Sequence, residues 1–103
     1  MDMKHLETFC KVAELESFSR AGEAVYLTQP TVSGHIASLE QSVGLRLFDR
    51  LGRRVALTSG GRIFYHYAKE ILKLRDEARN ALYEFSHLVK ATITVGGSTI
   101  PGE

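Results

Sequence analysis

The stretch from Leu27 to Glu40, LTQPTVSGHIASLE, limits what this chain can become more than any other. Val32, Ile36, Leu39 and Val43 recur at spacings of four, three and four residues, which puts them on one narrow stripe of an α-helix. That stripe belongs in a core. Around the rest of the cylinder stand Gln29, Pro30, Thr31, Ser33, Gly34, Ala37, Ser38 and Gln41. All are small or uncharged, where an ordinary solvated face carries Lys and Glu.

A face of short hydrogen-bonding groups suits a helix that must come close to another surface. The major groove of DNA is one such surface: it is about 12 Å wide, admits a helix and displays base edges that Gln, Ser and Thr can read. Gly34 fits that account, because a glycine within a helix costs about 0.5–1 kcal/mol relative to alanine and is useful mainly where a second body approaches. The competing reading of this stretch alone is a small-residue helix packed against another protein helix.

Length and charge narrow the field. A chain of 103 residues with 44% hydrophobic content supports one modest core. The single cysteine, Cys10, cannot form an intrachain disulfide and is expected as a small buried hydrophobe. Without a signal-like segment or a long uncharged apolar run, the expected location is the cytoplasm. The net charge of +1 conceals an uneven distribution. Residues 1–43 hold three Lys/Arg and six Asp/Glu, whereas residues 44–62 hold five and one.

In chain order, Leu6, Phe9, Cys10 and Ala13 define a first amphipathic helix. Ser17 caps a second, Phe18 to about Tyr26, with Arg20 exposed in its first turn. The helix dipole disfavours a cation there, so an external phosphate is a natural partner. Only Tyr26 to Thr28 separate this helix from the next, a helix-turn-helix connection. Thr28 caps the third helix, Pro30 is tolerated in its first turn, and Gly44 ends it. Leu47 to Leu57 then reads as a small β-hairpin turning at Gly52. Arg50, Arg53 and Arg54 crowd its tip, a cluster suited to a polyanion, the alternative being a loop that carries arginine for solubility.

Thr58 caps a last helix in which Phe64, Ile71, Ala78, Phe85 and Tyr67, Leu74, Ala81, Leu88 form two interleaved seven-residue repeats. From Ser59 to about Val89 it would be about 46 Å long, beyond a body whose radius of gyration is about 13 Å. Self-association through Phe64, Tyr67, Ile71, Leu74, Ala78, Leu82 and Phe85 is the expected cover for that seam. A membrane-surface helix is the rival, disfavoured by Glu70, Asp76, Glu77 and Glu84 on the polar face. Ala91 to Val95 alternates as a strand that has no sheet to join, as if the chain stopped just inside a second domain. His5, His35, His66 and His87 lack metal-ligand spacing and no nucleophile sits beside a base, so no catalytic activity and no cofactor are expected.

Phe18-Ser19-Arg20-Ala21, Leu27 to Ser33, Ile36, Leu39-Glu40, Gly44, Leu47-Phe48-Asp49-Arg50, Arg53-Arg54 and Leu57-Thr58 with Gly61 together resemble the LysR-type transcriptional regulators over about residues 3–90. Gly22 stands where the family usually has alanine, and Gly34 where a larger polar residue, often arginine, is common. The resemblance implies a mainly α fold: a winged helix-turn-helix domain over 1–58, a dimerising linker helix over 59–90, and over 91–103 the first strand and ligand loop of an effector domain. It implies a homodimer on double-stranded operator DNA, a tetramer for a full-length protein, and a small-molecule inducer for the C-terminal domain. Base-side candidates are Gln29, Pro30, Thr31, Ser33, Gly34 and Ser38, with Thr28 at the cap and His35 as a phosphate contact on the flank. Arg20, Arg50, Arg53 and Arg54 form the backbone or minor-groove set. The alternative is a winged-helix adaptor that binds protein rather than DNA.

Overall fold

In the computed structural model, which describes residues 1–95 and side chains as far as Lys90, the elements run α1 (Met3–Leu15), α2 (Phe18–Val25), α3 (Gln29–Val43), β1 (Phe48–Leu51), β2 (Arg54–Leu57) and α4 (Ser59–Val95). This is a mainly helical winged helix-turn-helix followed by a long helix. Each cap read from the sequence is in place. Ser17 Oγ accepts from Arg20 N at 3.0 Å, Thr28 Oγ1 from Thr31 N at 3.3 Å, and Thr58 Oγ1 from Gly61 N at 2.9 Å. These bonds satisfy amides that have no acceptor within their own helix.

The chain divides into two units, Met1–Leu72 and Lys73–Glu103. In the first, Leu6, Phe9 and Val12 of α1 and Val32, Ile36 and Leu39 of α3 are buried with Phe18, Ala21, Leu47, Phe48 and Val55. Phe9 is the hub: its ring centroid lies 5.2 Å from Phe48 and 5.0 Å from Phe64. Burying such a side chain stabilises the fold by about 1.5–3 kcal/mol. Cys10 is a buried packing residue, its thiol raised to about 11 first by burial and then by Glu14, so it is inert as a nucleophile.

Two backbone contacts set where α3 sits. Tyr26 ends α2 with φ 61°, and Leu27 N donates to the Gly22 carbonyl at 2.8 Å. A Cβ built on Gly22 would stand 2.6 Å from the Leu27 carbonyl oxygen, so glycine lets this turn fold tightly against α2. Beyond α3, Glu40 Oε2 accepts from Leu47 N at 2.8 Å and from Phe48 N at 3.4 Å, tying the start of β1 to the helix before it. β1 and β2 pair antiparallel, Phe48 opposite Leu57 and Leu51 opposite Arg54. The loop is therefore Gly52-Arg53, with Gly52 at φ 64°, a positive value that glycine adopts without strain at the first position of a two-residue hairpin loop.

The second unit continues α4 from Lys73. Here the structure corrects the sequence reading: Ala91 to Val95, expected as a strand, are the last residues of the helix. An extended segment with no neighbour would leave its amides unpaired, whereas helix elongation supplies an acceptor for each one. The ligand-loop expectation lies outside the described residues. Among those described, no helix is long and apolar enough to cross a membrane.

Candidate nucleic-acid interface

The buried stripe of α3 fixes which of its residues face outward. With Val32, Ile36 and Leu39 in the core, Thr28, Gln29, Pro30, Thr31, Gly34, Ala37 and Ser38 are exposed and Ser33 is half-buried. A Cβ built on Gly34 would meet no atom within 4 Å. Among the described residues, no other helix occupies the small-residue face. Its N-terminal end adds the positive end of the helix dipole, favourable to an anion, although the Thr31 amide is taken by Thr28 Oγ1 and Pro30 has no amide hydrogen.

The wing brings its cations to the same end. Gln29 lines a recess of about 110 Å³ together with Ser19, Arg50, Gly52, Arg53 and Arg54. A neighbouring recess of about 260 Å³ joins Ser33 and Ala37 to Glu40, Arg46 and Arg50. Residues separated in sequence by the whole of α3 therefore border common hollows: hydrogen-bonding groups from the helix, guanidinium groups from the hairpin. Arg20 is exposed in the first turn of α2, as expected.

The three wing arginines differ in their surroundings. Arg50 lies over the Phe18 ring, 4.6 Å from its centroid. Arg54 Nη2 is 3.2 Å from Glu16 Oε1. Arg53 occupies the exposed loop tip. Sequence reasoning missed both Phe18 and Glu16 as supports, since nothing local to either residue signals a contact with the hairpin.

His35, expected on the flank as a phosphate contact, has partners within the chain. Its Nδ1 is 2.9 Å from Thr8 Oγ1, and its ring lies 4.3 Å from that of His5, centroid to centroid. The buried Thr8 hydroxyl donates to the Lys4 carbonyl at 3.0 Å, so it accepts from His35, which therefore carries its proton on Nδ1. Burial lowers the pKa of His35, and the neighbouring His5 lowers it further. The side chain joins α3 to α1, and a phosphate would have to compete with that contact.

Phe64, the first residue of the expected seam, is half-buried and packs its ring against Phe9. Tyr67, Leu74, Leu82 and Phe85 are 60–68% exposed, and Ile71 is 36% exposed. Among the described residues no group of three or more His, Cys, Asp or Glu is placed to hold a metal ion.

Residues 3–62 match the bacterial regulatory helix-turn-helix proteins of the lysR family. The chain belongs to the LysR family. It is 47% identical over 98 residues to an uncharacterized HTH-type transcriptional regulator in the ibpB-leuC intergenic region of Azotobacter vinelandii, covering 95% of this chain and 68% of that one. It is 42% identical over 95 residues to the uncharacterized regulator YxjO of Bacillus subtilis, covering 92% of this chain but 33% of YxjO. Among solved structures, the BenM DNA-binding domain in complex with benA site 1 DNA superposes with a TM-score of 0.80 at 32% identity, covering 84% of this chain and 97% of that one. Vibrio fischeri DarR in complex with DNA gives 0.80 at 32% identity, covering 85% and 30%. YxjO is thus about three times the length that this chain spans in it.

Proposed function

We propose that this LysR-family chain binds double-stranded DNA sequence-specifically as the reading part of a transcription regulator. In this reading α3 enters the major groove and the β1–β2 wing follows the flanking backbone or minor groove. The observation that carries it is the recess where Gln29 meets Arg50, Arg53 and Arg54, because it joins base-reading and phosphate-binding chemistry on one face. BenM and DarR, both similar to this chain, are solved bound to DNA. Gln29, Pro30, Thr31, Ser33, Gly34 and Ser38 face the bases, and Arg20, Arg50, Arg53 and Arg54 face the backbone.

The exposed apolar residues of α4 support a homodimer, which would present two copies of α3 to a two-fold operator. A whole protein of the length of YxjO would add a domain for a small-molecule inducer and act in the cytoplasm, with paired dimers forming a tetramer.

Selection from random duplexes, followed by salt titration on the selected operator, tests the reading. Gln29→Ala and Ser33→Ala should lose about 1–3 kcal/mol of discrimination between bases per good contact removed. Arg53→Ala should weaken binding to all sequences and reduce the salt slope by about one. A chain that selects no duplex, or binds with a flat salt dependence, would instead favour a protein-binding adaptor.

A further inference from the structure

Glu16 is at odds with its own backbone. It ends α1 with φ 55° and ψ 36°, in the left-handed region where glycine is favoured and a long side chain is strained. Its carbonyl accepts from Val55 N at 3.4 Å, a contact that glycine would make equally well. Its carboxylate, 3.2 Å from the Arg54 guanidinium, makes a contact that glycine could not. Arg54 is therefore the wing arginine held by a carboxylate, while Arg50 rests on an aromatic ring and Arg53 stands at the exposed tip.

We propose that Glu16 sets the charge the wing offers to DNA, competing with the phosphates for Arg54 so that the part of the affinity common to all sequences is lowered. The proposal rests on the DNA-binding reading above. Non-specific binding arises almost entirely from neutralised phosphates, so each guanidinium withheld weakens it. A carboxylate fixed at the edge of the arginine cluster also repels the backbone directly. Contacts made by α3 to base edges are untouched, so base discrimination is kept while the phosphate contribution common to all sequences falls.

Binding of the 103-residue chain and its variants to the selected operator and to a random duplex, across a salt series, tests this. Glu16→Gln should bind random duplex on the order of fivefold tighter at about 0.1 M salt, with a salt slope steeper by about one. Glu16→Gly should do the same while melting at or above the wild-type temperature, since glycine relieves the left-handed backbone. In an Arg54→Gln background, Glu16→Gln should lose most of its effect. A purely structural tie predicts the opposite sign, because a loosened wing binds less well. Wild-type binding with steep salt dependence, combined with Glu16→Gln and Glu16→Gly variants that bind random duplex no more tightly than wild type, overturns the proposal and leaves the DNA-binding reading standing. A wild-type chain that binds no duplex overturns both.

Discussion

Gly34 and His35 are neighbours in α3 with opposite surroundings, and each leads to a separate prediction. Nothing lies within 4 Å of a Cβ built on Gly34, so Gly34→Ala should stabilise the folded chain by about 0.5–1 kcal/mol in a urea titration. The same methyl would stand on the face assigned to the groove. Operator affinity should fall severalfold while random-duplex affinity is unchanged, and an unaltered operator affinity would place residue 34 away from the bases. His35 has its pKa depressed by burial and by His5, with Asp2 opposing and Lys4 assisting. The unfolded chain, at about 6.5, therefore takes up this proton before the folded chain does. Stability from the neutral ring is complete above that value and declines as the pH falls through the lower folded one. Thermal melts should show a midpoint that drops below about pH 6.5, and His35→Gln should flatten the drop. The caps at Ser17, Thr28 and Thr58 were legible because each bonds an amide three residues on. The partners of His35 and Arg54 were not, since Thr8 lies 27 residues from His35 and a charged side chain carries no local record of its distant counterion.

Elements with a helical period were legible throughout the first unit, whereas the period-two signal was legible only where a second strand existed to pair with it. Val55 and Leu57 alternate beside β1, and the hairpin forms. Ala91 to Val95 also alternates, but α4 runs through it to Val95, because β-branched residues are only mildly unfavourable in a helix that is already nucleated. The start of α4 held a second signal whose meaning emerged only in three dimensions. Gly60 and Gly61 look alike in sequence, yet a Cβ on Gly61 would overlap the Leu47 carbonyl oxygen, while one on Gly60 would meet nothing closer than 3.4 Å. Thr58 N donates to that same Leu47 carbonyl at 3.0 Å, so the backbone there cannot easily give way. Gly61→Ala should destabilise the chain by about 1–3 kcal/mol. Gly60→Ala should be near neutral. Equal denaturation midpoints for the two variants would contradict the close approach of α4 to the strand-entry segment.

At the scale of the molecule the unresolved demand is the apolar surface of α4. Leu82, Tyr83, Phe85 and Leu88 are 61–68% exposed, and side chains of this kind spaced along one helix gain about 25 cal/mol for each Å² removed from water. A second copy offers an identical seam, and a two-fold axis lets each helix cover the other. Phe64 is the wrong residue with which to test this, because it packs on Phe9 and its loss would damage the core of its own protomer. Leu82 and Phe85 are better placed, being exposed on the helix alone. The wild-type chain should sediment as a dimer at tens of micromolar, on the order of a concentration at which even a modest seam associates. Leu82→Asp and Phe85→Asp should sediment as monomers with unchanged helix content, since each would bury a charge only in the dimer. Operator binding should then lose the gain from two linked half-sites while single half-site affinity persists. A wild-type chain that stays monomeric, or aspartate variants that remain dimeric, would move the two-fold contact off this seam and onto another surface of the protein.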